Sequence, residues 1–157
     1  MKEILNEILK SSRMPEGIAW RRLDFKSEQL IIQKGDIGRT LFYIEKGMVR
    51  VLGDATLEEN RRISHSICDM RDGDIFGDVC LYGENQRTAT IKALTDVQVL
   101  EVRTDSLSVY LDDHPILGYI FLKKLFEIMT NRLSLANDRI ENLLAWGIKA
   151  HAIDKYL

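Results

Sequence analysis

Between Phe76 and Ala89 the chain reads Phe76-Gly77-Asp78-Val79-Cys80-Leu81-Tyr82-Gly83-Glu84-Asn85-Gln86-Arg87-Thr88-Ala89, a set of residue types suited to gripping a sugar phosphate. Gly77 has no side chain, so a ligand can approach its backbone closely. Asp78, Val79, Cys80 and Leu81 can form one helical turn whose free N–H groups point at an anion. Arg87 offers a rigid fork of donors that matches phosphate oxygens. Asp78 is a short acceptor suited to a ribose hydroxyl, and the Thr88 hydroxyl either contacts ligand or is simply that of a strand residue.

These residues need a scaffold, and the chain supplies the signs of one. Short β-rich runs occupy Leu30–Gln33, Leu41–Ile44, Met48–Leu52, Arg62–Asp69, Thr88–Leu94 and Val97–Val102, each closed by a Gly or Asp turn. Such spacing predicts a sandwich or barrel, and closing the sheet as a jelly roll would remove its exposed edges. Before the strands, Ile4, Leu5, Ile8 and Leu9 recur at helical spacing, and Pro15 is placed to open a second short helix through Trp20. After Thr104 the pattern turns helical. Asp105 is a candidate N-cap for a helix to Asp113, and Pro115 sits where a long helix begins.

Within that helix Leu122, Phe126, Met129, Leu133, Ala136, Ile140 and Leu143 alternate at spacings of four and three, a heptad seam. A second stripe, Leu117, Phe121, Leu125 and Ile128, lies on another face and is expected to pack on the barrel. A helix with two apolar faces wants two partners. Gly147 is expected to break it, leaving a short helical tail. The organisation so read is 1–22 N-terminal helices, 23–104 β-roll, 105–146 C-terminal helices and 147–157 tail, an α+β fold.

At 157 residues and 45% hydrophobic content the chain can bury one sound core with a helical extension. Its net charge is −2 and no basic block stands out, which argues against nucleic-acid binding. Cys68 and Cys80 lack CxxC spacing and a secretory context, so reduced thiols are expected. The N-terminus carries charges throughout, unlike a signal peptide, and no run approaches the roughly 20 apolar residues that span a bilayer. A soluble, cytoplasmic protein is the expectation.

The stretch from Phe76 to Ala89 resembles the phosphate-binding cassette of cyclic nucleotide-binding domains, Phe-Gly-Glu-x-x-Leu…Arg-(Ser/Thr/Ala)-Ala. Upstream, Gly35-Asp36, Leu41-Phe42-Tyr43-Ile44 and Gly47-Met48-Val49-Arg50-Val51 are similar to the family's Gly-Asp…Leu-Tyr-Ile…Gly-x-Val-x-Val run. The resemblance covers roughly Leu23 to Leu144 and is nearest to the sensor half of CRP/FNR-type bacterial regulators. It implies a jelly-roll module binding cAMP or cGMP, with Phe76, Gly77, Asp78, Val79, Cys80, Arg87 and Thr88 around the ligand. It also implies a homodimer through the long helix; no membrane contact and no enzyme activity are expected.

Aligned on Asn131-Arg132-Leu133 and Asn142-Leu143, the positions that contact adenine in cAMP-binding members, Thr and Ser there, are Ala136 and Asn137 here. Asn137 can both donate and accept, and it neighbours the seam. Those regulators continue with a winged helix-turn-helix, which this sequence does not reach, so no direct DNA binding is expected.

One position departs from the pattern, because the usual Glu is Asp78. The change draws the carboxylate back by about 1.5 Å. A ligand-free dimerisation module with a degenerate pocket is therefore the alternative reading. A jelly-roll metalloenzyme needs converging His and carboxylates, whereas His65 lies in a strand and His114 and His151 on the helical part. A haem ligand pair is equally lacking. Cys80 reads as a small apolar residue of the turn, with redox sensing by a thiol at a helix N-terminus as its alternative.

Overall fold

In the computed structural model, which describes residues 1–56, 62–82 and 86–150, eight strands lie between one short helix and two C-terminal helices. The order is α1 (Lys2–Leu9), β1 (Trp20–Phe25), β2 (Leu30–Ile32), β3 (Thr40–Lys46), β4 (Met48–Thr56), β5 (Arg62–Arg71), β6 (Ile75–Phe76), β7 (Thr90–Ala93), β8 (Val97–Arg103), α2 (Thr104–Asp113) and α3 (Pro115–Ala150). The strands form two four-stranded antiparallel sheets, β1-β8-β3-β6 and β2-β7-β4-β5. The expected jelly roll thus stands as two facing sheets.

Between the sheets Phe42, Ile44, Phe76, Val97 and Val99 meet Ile32, Val49, Val51, Ile91 and Ala93. The opposite face of the first sheet is also covered. Leu41, Tyr43, Ile75, Leu100 and Val102 pack under the helices with Leu5, Ile8, Leu107, Leu111, Phe121 and Leu125. Burial on both faces explains why β3 reads Leu41-Phe42-Tyr43-Ile44 without a polar interruption.

Three expectations are corrected. No helix forms from Pro15 to Trp20. Gly17 takes a left-handed φ of 82°, its N–H donates to the Trp20 carbonyl at 2.7 Å, and Trp20 already starts β1. Residues 1–22 therefore hold one helix and the start of a strand. Asp105 is not the N-cap of α2, because Arg103 holds that position; Asp105 lies in the first turn, paired with Arg103.

Nor does Gly147 end the long helix, which continues to Ala150. A glycine costs a helix interior only about 1 kcal/mol, too little to stop a helix of 36 residues. The residues 151–157 expected as tail, and Gly83, Glu84 and Asn85 of the cassette turn, lie outside the described residues.

Candidate functional site

β6 is only two residues long, and its role is to aim the tight turn at its end. Phe76 pairs with Phe42 of β3, the rings stacked with centroids 4.9 Å apart. Gly77 then turns left-handed at φ 73° and starts a single 3-10 turn, Asp78–Cys80. A Cβ on Gly77 would lie 2.6 Å from Arg87 Nη1 and 2.9 Å from the Thr40 carbonyl oxygen. Both conformation and space therefore demand glycine. Cys80 N–H donates to Gly77 and Leu81 N–H to Asp78, which leaves the Asp78 and Val79 N–H groups at the open end of the turn.

Arg87 is buried, with only 8% of its surface exposed. Its Nη1 donates to the Thr40 carbonyl at 2.8 Å and lies 3.6 Å from Cys80 Sγ, and Nη2 donates to Thr40 Oγ1 at 2.9 Å. The guanidinium carbon stands 5.5 Å from the Phe42 ring centre, close enough for a cation–π contribution. Among the described residues no carboxylate pairs with it and its Nε–H has no acceptor. The surface arginines Arg22 and Arg50 behave differently, each gripping a carboxylate side-on through Nε and Nη2. A buried cation without a counter-charge is costly, so this guanidinium is the electropositive point of the site.

The cassette's acid is held by the long helix. Arg132 of α3 donates from Nη1 to Asp78 Oδ2 at 3.0 Å, with the Asp78 side chain 8% and the Arg132 side chain 31% exposed. Its Nη2 donates to the Ile75 carbonyl. Farther along, Arg139 donates to the Ile67 carbonyl of β5. Cys68, beside these two arginines, has its thiol pKa pushed up by burial, with Arg139 and Arg132 opposing the rise.

A cleft of about 180 Å³ opens here, lined by the cassette from Phe76 to Cys80, by Arg87 and Thr88, and by Arg132. Seven of the eight expected site residues thus gather around one cavity: Phe76, Gly77, Asp78, Val79, Cys80, Arg87 and Thr88. The eighth, Asn137, is exposed on α3 and does not line the cleft. Gly38, Thr40, Phe42 and Arg132 were not among the expected site residues, although Phe42 and Arg132 fall in the stretches that carry the family resemblance. For Arg132 a signal existed, since it continues the spacing of the barrel-facing stripe Leu117, Phe121, Leu125 and Ile128. Among the described residues no three His, Cys, Asp or Glu side chains gather as a metal site, and no helix is long and apolar enough to cross a membrane.

The family model of the cyclic nucleotide-binding domain matches residues 22–114. The potassium/sodium hyperpolarization-activated cyclic nucleotide-gated channel 4 of Homo sapiens is 28% identical over 97 residues, 62% of this chain and 7% of the channel. This chain therefore corresponds to a small part of such relatives. A cyclic nucleotide-binding domain from Methylobacillus flagellatus superposes with a TM-score of 0.69 at 24% identity, covering 78% of this chain and 66% of that one. The Catabolite Activator Protein of Thermus thermophilus gives 0.66 at 20% identity, covering 91% and 60%. These two likenesses concern the fold.

Proposed function

This chain belongs to the cyclic nucleotide-binding domain family, and from that premise we propose that it senses a cyclic purine nucleotide, cAMP or cGMP, and signals through α3. The observation that carries the reading is Arg87, a buried guanidinium facing the cleft with no carboxylate partner among the described residues. Thr40 occupies two of its nitrogens and leaves Nε–H and the second Nη2 hydrogen for two phosphate oxygens, the pair of nitrogens with which Arg50 holds Asp69. The open N–H groups of Asp78 and Val79 add to the anion's grip. Asp78 Oδ1, not engaged by Arg132, is the acceptor for a ribose hydroxyl.

At about 180 Å³ the cleft is smaller than the roughly 300 Å³ at which pockets for whole ligands begin. It suits the sugar phosphate, with the base lying outward past Thr88 toward α3. The seam residues Leu122, Phe126, Met129, Leu133, Ile140 and Leu143 are all exposed on the single chain. A second copy would cover them in a parallel homodimer, and Asn137 beside the seam would then meet the base.

Equilibrium binding of labelled cAMP and cGMP tests this. Wild type binds at least one of them, and Arg87→Ala loses about 3–5 kcal/mol, the cost of leaving a buried charge unpaired. Unchanged binding by Arg87→Ala would remove this residue from the site. Binding of neither nucleotide by wild type would favour a ligand-free dimerisation module.

A further inference from the structure

We propose that Gly38 and Thr40 are positioning residues that set the pose of the Arg87 guanidinium before any ligand arrives. The proposal rests on the phosphate role just assigned to Arg87. The segment from Gly35 to Phe42 surrounds that residue on all its parts. Its backbone is held first: Arg87 N–H donates to the Asp36 carbonyl at 2.8 Å, the Arg87 carbonyl accepts from Gly35 N–H at 2.9 Å, and Ile37 bridges Gln86. The side chain is held next, by the carbonyl and hydroxyl of Thr40 and by the Phe42 ring.

Gly38 completes the cradle by what it lacks. A Cβ there would overlap Arg87 Nε and Cζ and lie 2.7 Å from Nη2. The Gly38 backbone has little freedom to yield, since the next carbonyl, that of Arg39, accepts from Thr104 N–H at 3.0 Å at the start of α2. The far end of a long side chain yields more easily. Gly38 has no left-handed φ, so alanine meets no left-handed strain there. The added methyl therefore displaces the guanidinium while the fold stays intact. Thr40 acts through its two acceptors, which occupy Nη1 and Nη2 and leave Nε–H without an acceptor among the described residues.

The test combines calorimetric titration with cAMP and cGMP and the NMR resonance of Arg87 Nε–H in the ligand-free protein, assigned by its loss in Arg87→Ala. Gly38→Ala is expected to stay folded and to melt within about 10 °C of wild type, as for loss of the Arg87–Thr40 hydrogen bonds with the apolar core unchanged. It should shift the Nε–H resonance and lower affinity about a hundredfold, and it should not weaken the residual binding of Arg87→Ala by more than about twofold, because coupled residues are non-additive. Thr40→Val should cost roughly tenfold and Thr40→Ser should restore it, as expected of one hydrogen bond to a charged group.

Wild-type affinity with an unmoved resonance in Gly38→Ala would overturn the proposal, as would fully additive losses in the double variant. If Gly38→Ala does not fold, the Thr40 pair decides, and failure of serine to restore binding overturns the idea. A wild type that binds neither nucleotide refutes the proposed function instead. Positioning is then judged on the Nε–H resonance alone, upheld if Gly38→Ala moves it and overturned if it does not.

Discussion

The two halves of α3 are held against the rest of the chain by different chemistry. In the first half Phe121 and Leu125 are buried and Leu117 packs beside them, against Tyr110 and Leu111 of α2 and the helix-covered face of the first sheet. In the second half the inward positions become Arg132 and Arg139, which reach the carbonyls of Ile75 and Ile67, while 133–146 are exposed throughout. Burying a large apolar side chain contributes about 1.5–3 kcal/mol and has no substitute in water. A hydrogen bond from a part-exposed guanidinium contributes less net, because water takes its place when it breaks. The first half is thus fixed and the second releasable. Asp78 shares Arg132, so the releasable half is the one the cassette touches.

The largest effect expected from this contrast lies in the first half. Phe121→Ala removes a fully buried ring and should destabilise the chain by about 3–5 kcal/mol in urea unfolding. An effect below about 1 kcal/mol would mean that α3 is not anchored by this face. Leu133→Ala, in the exposed half, should stay within about 0.5 kcal/mol in a monomeric background.

The second test concerns what the exposed half is for. Leu133→Glu with Ile140→Glu places like carboxylates across the proposed two-fold axis. Both side chains are exposed on the single chain, at 62% and 63%, so its own fold should change by no more than about 0.5 kcal/mol each. We expect monomers in sedimentation where wild type dimerises, and weaker nucleotide binding if a partner helix completes the site. Wild type that sediments as a monomer at micromolar concentration, with and without nucleotide, would end the dimer proposal.

The same contrast explains what could be read without a structure. Phe76 to Cys80 together with Arg87 and Thr88 were legible because they are close in sequence, and so was the apolar stripe of α3, because it repeats. Thr40 holds Arg87 from 47 residues away and Arg132 holds Asp78 from 54 residues away. No local spacing encodes such pairs. β1 was obscured by Arg21, Arg22 and Asp24, whose charges are tolerated on an edge strand with β8 as its one neighbour. β6 is simply too short for a period. At Pro15 the hydrogen bond from Gly17 to Trp20 overrode local propensity, and at Gly147 the small cost of one glycine let the long helix run on.

The smallest effect, and the most direct view of the releasable half, comes from a thiol beneath it. Arg132→Ala with Arg139→Ala removes both polar attachments: the exposed Arg139 contact contributes about 1 kcal/mol or less, whereas loss of Arg132 leaves the largely buried Asp78 carboxylate without its partner and costs more. Cys68 is half-buried beside these arginines, while Cys80 is buried and serves as the internal reference. Charge and access now act with opposite signs. Burial already holds the Cys68 thiol above its ordinary pKa with the two guanidinium groups opposing that rise, so removing them lowers the thiolate fraction and slows labelling by a disulfide reagent. Release of the helix uncovers the sulfur and speeds it. We expect access to dominate and Cys68 to label roughly threefold to tenfold faster at neutral pH, as a local opening would produce. Slower labelling, with Cys80 unchanged, would show that the second half stays in place without its arginines and that the two halves differ less than their chemistry implies.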